Sequence, residues 1–326
     1  MTTTAASHLR LARFAHTHIQ RLAPPSTRRH PDSDSIETEL RHWATTVDLY
    51  AGEDIQQLTR RQVGLIVGCC MPDVPTPIAR VTAHYLAWVF AFDDTVAEHE
   101  PLLAIHQAMD LPGLLRDGAT HDRSAAQGLA GVLVSVRDEI VDIGGMALLP
   151  QLAGQLGRYL DACAGEAPWR RTGRPPALAA YLHDRTATSG GHPLLLHRLM
   201  PGMPPPGAPL PAGLDSLADQ AFLIGGLAND LLGFAHEQRQ GDPVNVVTVL
   251  AGEYALPLPE AYRAAVILHA AHTHRFAADL VRTSGDPALA ESHRALAAAI
   301  GGWVEGSAAA IEPYWQHLLA HHEDRP

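Results

Sequence analysis

From Ile36 onward, apolar residues recur at helical spacing. The pattern predicts helices at roughly 36–49, 53–69, 76–98, 102–109, 124–143, 148–164, 175–188, 192–200, 214–239, 244–252, 258–284 and 287–322. No alternation of period two persists for more than a few residues, and no internal repeat is visible, so the fold class is all-α. Residues 1–35 are weakly patterned, and "LAPPSTRRHPDSDS" reads as a flexible lead-in. Two tracts interrupt the helices: the basic, Pro-containing "APWRRTGRPPA" (167–177) and the Pro/Gly-rich "PGMPPPGAPLPAG" (201–213). Neither separates two self-sufficient cores. One helical domain over residues 36–322 is the expected organisation.

Two predicted helices change character along their length. In the first, "YLAWVFAF" is apolar on every side and leads into Asp93, Asp94, Glu98 and Glu100. A four-residue step returns nearly to the same helix face, so Asp94 and Glu98 share one side and Asp93 lies on the adjoining flank. Such a trio suits a hard cation such as Mg²⁺ and is equally what a solvated helix end looks like. The apolar run before it favours carboxylates that look into a cavity. In the second helix, "AFLIGGLANDLLGFAHEQRQGDPVN" (221–245) sets Asn229, Gly233 and Glu237 on one stripe at i, i+4 and i+8. Asn229 and Glu237 offer oxygen donors, and Gly233 leaves room between them. Gly225, Gly226 and Gly233 in one helix each cost about 1 kcal/mol relative to Ala, which close approach of a helix or a ligand would offset.

Composition narrows the chemistry. Hydrophobic residues make up 46% of the 326-residue chain and charged ones 18%, so a sizeable core can be buried and wholesale disorder is excluded. Few aromatics mean a core of Ala, Leu and Val, and Ala and Leu favour helix. The formal net charge of −11 argues against nonspecific nucleic-acid binding and is compatible with divalent cations. The 20 His are scattered, without an HExxH motif. The three Cys include an adjacent pair and no CxxC, as expected of a reducing, cytoplasmic setting. No run is long enough for a membrane span.

Together the two motifs resemble those of class I terpene synthases, bacterial members in particular. "DDTVAE" (93–98) is similar to that family's aspartate-rich motif in its DDxxxE form. "NDLLGFAHE" (229–237) is similar to its Asn/Ser/Glu triad, with Gly233 where Ser is usual. "WRRTGRPPALAAYLHDRTATSGG" (169–191) resembles the segment carrying the diphosphate-sensing arginine, here Arg185, 44 residues before Asn229. Ser189 and Gly190 fall where the family has a helix break with an effector carbonyl; Gly190, Gly191 and Pro193 predict a broken helix there in any case. The resemblance covers roughly residues 36–320. It implies a class I terpenoid synthase bundle with a central apolar cavity. It further implies three Mg²⁺ bridging an isoprenyl diphosphate to Asp93, Asp94 and Glu98 on one side and to Asn229 and Glu237 on the other, with water at Gly233 in place of the usual Ser ligand. Two departures concern diphosphate donors. His236 stands where a Lys is common, and Pro313 precedes Tyr314 where an Arg-Tyr pair is usual, so Tyr314 keeps one hydrogen bond and Arg239 is a candidate replacement.

The expected reaction is ionisation and cyclisation of a linear isoprenyl diphosphate, farnesyl diphosphate first and geranylgeranyl diphosphate next, to a hydrocarbon or alcohol. Asp93, Arg185, Asn229 and Glu237 would carry it. Phe90, Phe92, Phe222 and Trp303 are candidates for facing a carbocation with a π-surface. A homodimer is compatible with the resemblance. The rivals are a chain-elongating prenyltransferase of the same fold, opposed by Asn229 and Gly233, a His/Asp metal phosphohydrolase prompted by "LHDR" (182–185), and a non-catalytic helical binding homologue.

Overall fold

The computed structural model describes residues 3–22, 26–50, 56–97, 103–105, 109–118 and 128–323, with side chains at all of these except 3–12, 56, 57, 60 and 311–323. Among the described residues every regular element is helical. The helices are α1 (Thr3–Leu22), α2 (Ser33–Thr46), α3 (Gln56–Arg61), α4 (Val63–Cys70), α5 (Thr76–Phe92), α6 (Leu111–Asp117), α7 (Gly128–Asp142), α8 (Leu149–Thr172), α9 (Leu178–Thr188), α10 (Ala212–Gln240), α11 (Val246–Tyr254), α12 (Leu258–Ser284) and α13 (Glu291–Glu323). A 3₁₀ segment, His192–Leu199, follows α9. None of these helices is long and apolar enough to cross a membrane.

The apolar residues of α5 explain its place. Nearly all its side chains from Ile78 to Phe92 are buried, as an all-round apolar helix requires. It packs against α2, α4, α7 and the 3₁₀ segment. One large core cluster surrounds it; a second joins α9, α10, α11 and α12 through Leu227, Leu231, Val247 and Tyr262. α10 lies beside α9, α11, α12 and α13 and links the two. Where α4 meets α13, a side chain at Gly306 would run into the Cys69 carbonyl at 2.3 Å, so the glycine sets that close crossing.

Several boundaries differ from the sequence expectation, among them α6, which occupies Leu111–Asp117 beyond the helix expected over 102–109. Residues 3–22, within the expected lead-in, form α1, with Ala15 and Ile19 buried; interspersed His and Arg mask its short apolar stripe. The helix expected over 53–69 is split at Gln62, whose φ is +49°, with no Gly or Pro to announce the break. α8 continues to Thr172 through Pro168, which shortens the expected 167–177 linker. Its last turn is held by Arg170, paired to Glu166 at 3.0 Å and to Asp242 at 3.2 Å. The segment 192–200 is a 3₁₀ coil rather than an α-helix, in keeping with Gly191 and Pro193.

Candidate active site

The first motif begins where α5 stops being an α-helix. Asp93–Ala97 form a π turn, a local widening frequently found at functional sites. It sends neighbouring carboxylates different ways. Asp93 accepts a hydrogen bond from the Tyr159 hydroxyl on α8 at 3.3 Å. Asp94 accepts from the Tyr50 hydroxyl at 3.3 Å and forms an ion pair with Arg61, at the end of α3. The Arg61 guanidinium lies 4.6 Å from the centre of the Phe90 ring. Burial pushes the Asp94 carboxyl upward, and Asp93 adds to this; Arg61 opposes it. Glu98, assigned to the same motif, lies outside the described residues.

The second motif is organised by Arg185. From the buried side of α9 its Nη2 donates to the Gly226 carbonyl at 3.0 Å and to Asn229 Oδ1 at 3.2 Å, and pairs with Asp230 Oδ1 at 2.8 Å. A side chain at Gly226 would meet Arg185 Nε at 3.1 Å, so the glycine admits the arginine against α10. Asp230 is buried and also accepts from the Tyr181 hydroxyl and, at 3.3 Å, from the Val246 amide. Burial works against the charge of Arg185, yet Asp230 and the surrounding acidic groups hold its pKa above the usual arginine range.

Glu237 folds back over Gly233. A Cβ at 233 would stand 2.5 Å from Glu237 Oε1, so the glycine leaves a cradle that the carboxylate occupies. Glu237 Oε2 accepts from the Asn245 amide at 2.8 Å. Burial, and then the charge of Asp230, push the Glu237 carboxyl up to about 8. Asn229 is exposed beside it. Among the described residues no three His, Cys, Asp or Glu side chains group as a metal cluster. The donors are nevertheless a hard-oxygen set, and a carboxyl destabilised by burial and a like charge is one that a bound cation would relieve. The second motif therefore fits a divalent ion.

Glu166 joins the two motifs. It is buried on α8 one turn beyond Cys163, pairs with Arg170 and accepts from Thr188, while Arg185 and Asp93 both act on its charge. Burial pushes its carboxyl up to about 7. Asp93, Tyr159, Glu166, Arg185 and Asp230 thus form a continuous electrostatic chain from α5 across α8 and α9 to α10. The break after α9 lies against both motif helices. Gly190 has φ +69° and a Cβ there would touch Val89 at 3.0 Å; one at Gly191 would strike the Phe222 ring at 2.3 Å. Ser189 turns its hydroxyl back to the Thr186 carbonyl at 3.1 Å.

The structure brings Asn229, Gly233, Glu237 and Arg185 together and connects Asp93 to them through α8. Phe92 lies among Trp88 and Tyr159, with ring centroids 5.3 and 6.0 Å away. Phe222 covers the break, and Phe90 lies under Arg61. Trp303 is buried against His197 at 6.4 Å. His236 and Arg239 are exposed at the end of α10, Arg239 donating to the Ala235 carbonyl at 3.0 Å. Tyr314 is on α13, its side chain outside those described. Sequence reasoning missed Tyr50, Arg61, Tyr159, Glu166, Asp230 and Asn245. Asp230 and Asn245 stood inside the quoted motif; nothing in the pattern marked Arg61.

An all-helical bundle that sets an acidic π turn and an Asn/Glu stripe around a largely buried arginine, beside a broken helix, is that of a class I terpene cyclase. The chain belongs to terpene synthase family 2, C-terminal metal binding, whose profile matches residues 84–275. It is 26% identical to 10-epi-cubebol synthase of Sorangium cellulosum over 81% of this chain and 86% of that protein. It is also 26% identical to the (+)-T-muurolol synthase of Roseiflexus castenholzii, described as (2E,6E)-farnesyl diphosphate cyclizing, over 76% and 77%. In structure it resembles 2-methylisoborneol synthase from Streptomyces coelicolor A3(2), solved with Mg²⁺ and 2-fluoroneryl diphosphate, with a TM-score of 0.75, 19% identity and coverage of 90% and 94%. These matches support an enzyme that cyclises an isoprenyl diphosphate to a terpene.

Proposed function

We propose that the protein is a Mg²⁺-dependent sesquiterpene cyclase that ionises and cyclises farnesyl diphosphate to a hydrocarbon or alcohol with release of diphosphate. The observation that carries this reading is Arg185, a largely buried cation held between Asn229 and Asp230 at the edge of the Asn/Glu stripe. Farnesyl diphosphate is preferred because a relative at 26% identity is described as cyclising it. Mg²⁺, expected as three ions with diphosphate, would be held by Asp93 on one side and by Asn229 and Glu237 on the other; when bound it supplies charge neutralisation for the leaving diphosphate.

The chain's own groups perform the rest. Arg185 presents N–H donors to a diphosphate oxygen and keeps its charge at every working pH, anchored by Asp230. Asn245 orients Glu237. The Ser189–Gly190 break offers backbone carbonyls beside Val89 and Phe222, where a developing cation needs electron-rich neighbours. Phe92 and Phe222 extend that apolar wall, excluding water and holding the tail folded. Incubation with Mg²⁺ and geranyl, farnesyl or geranylgeranyl diphosphate, followed by gas chromatography of a hexane extract, tests this. A cyclic product from farnesyl diphosphate at the highest kcat/KM is expected; product from geranylgeranyl diphosphate alone would reassign the substrate.

A further inference from the structure

The first motif is built so that its two adjacent aspartates face opposite ways, and the residues that separate them come from a part of the chain to which neither motif nor family profile assigns a role. Asp94 has both carboxylate oxygens occupied: Oδ1 by Arg61 and Oδ2 by the Tyr50 hydroxyl at 3.3 Å. The clamp is sheltered, with side-chain exposures of 24% for Arg61 and 12% for Asp94, and Tyr50 is buried. Arg61 is itself fixed twice over. Its guanidinium lies 4.6 Å from the Phe90 ring, and the helix that carries it ends immediately after it at Gln62, whose φ is +49°. Asp93, one residue earlier, turns the other way to Tyr159 at 3.3 Å, the side on which Glu166 and Arg185 lie.

We propose that Arg61 and Tyr50 are positioning residues for the acidic motif: by clamping Asp94 on the outer flank of the π turn they hold Asp93 toward α8 and the diphosphate-binding side. This rests on the cyclase reading and deepens it, since it assigns Asp94 the role of an anchor and places the selectivity for head-group binding partly in α3. The physical reason is geometric. A π turn is a marginal local structure, and a sheltered ion pair with a second hydrogen bond fixes its rotation. Without the clamp the turn can revert toward α-helical winding and carry Asp93 off Tyr159.

The test is a double-mutant cycle on Arg61→Gln and Asp94→Asn, with Arg61→Lys and Tyr50→Phe as milder variants. Two readouts are taken: kinetics with farnesyl diphosphate, and calorimetric binding of inorganic diphosphate in the presence of Mg²⁺, which does not depend on turnover or on the identity of the tail. Arg61→Gln is expected to weaken diphosphate binding and raise KM by about tenfold or more, with a smaller change in kcat. Arg61→Lys recovers part of that loss, and Tyr50→Phe shows a lesser one. Because the two partners act through one contact, the double variant is expected to be no worse than the more impaired single variant. Additive losses, or an unchanged diphosphate affinity in both Arg61 variants with wild-type melting temperatures, would overturn the assignment. If the wild-type protein bound diphosphate with Mg²⁺ but turned over no isoprenyl substrate, the cyclase reading would fail while the binding cycle still judged the clamp.

Discussion

Asn245 shows how much of the site depends on residues that hold its donors in place. Fully buried, it donates to the Asp230 carbonyl at 2.9 Å and to Glu237 at 2.8 Å, while its Oδ1 caps α11 through the Val247 amide at 2.8 Å. Asn245→Ala is expected to cost about 1–3 kcal/mol in chemical denaturation and to lower kcat/KM. Asn245→Asp keeps the cap but replaces the N–H that Glu237 accepts with a carboxylate, so its activity loss should exceed its stability loss. At Arg185 the two effects merge: Arg185→Ala leaves Asp230 buried without its cation and should destabilise by roughly 3–5 kcal/mol as well as abolish turnover. At this scale the sequence was informative where a residue sits on a stripe. Asn229, Gly233 and Glu237 follow from a four-residue period, and Arg185 from an interval that the resemblance implied. Asp230 falls off that stripe, so its partnership with Arg185 depends on how α9 lies against α10, which no local pattern encodes.

The elements divide in the same way. α5 and α10 were legible because one is apolar on all sides and the other carries its donors on one stripe; of the α10 glycines, Gly226 admits Arg185 and Gly233 its own helix's Glu237, while Gly225 meets nothing among the described residues, against the expectation of a close approach there. The π turn after Phe92 and the helix break at Gln62 were not legible, since neither carries Gly or Pro. The run of α8 through Pro168 was hidden for the opposite reason: proline normally ends a helix, and here the Arg170 pairs across to Glu166 and Asp242 hold the last turn. The break after α9 was foreseen from its glycines, and the structure adds what it packs against. Gly191→Ala forces its methyl into the Phe222 ring, found 2.3 Å from the ideal Cβ position. We expect about 1–3 kcal/mol of destabilisation and an altered product ratio, measured by thermal melting and gas chromatography, with the ability to bind inorganic diphosphate retained.

Across the whole molecule the packing of α1 onto α10, α12 and α13 has a consequence for pH. His269 on α12 is buried, neither ring nitrogen has a hydrogen-bond partner among the described residues, and burial, then the charges of His18 and His272, lowers its pKa to about 4. The unfolded chain titrates it near the ordinary histidine value of about 6.5. Between those values the unfolded state binds the extra proton, so this group's contribution to stability is present at neutral pH and is lost as pH falls from about 6.5 toward 4, at up to about 1.4 kcal/mol per pH unit. Glu166, raised to about 7, works in the opposite sense over an overlapping range, so the isolated effect is read as a difference. The stability of wild type relative to His269→Leu is expected to fall progressively below pH 6.5; a constant difference would exclude the buried neutral imidazole.

The central claim is that the two motifs act on one diphosphate through Arg185. It is tested most directly by supplying the purified protein with farnesyl diphosphate and Mg²⁺, and measuring released diphosphate and extracted product together, beside Arg185→Ala and Asn229→Ala. The account predicts a cyclic terpene matched by diphosphate in the wild type, and loss of both by about a thousandfold or more in each folded variant. Equal diphosphate release by the variants, or a wild type that yields a longer chain when isopentenyl diphosphate is added and no cyclic product without it, would contradict it.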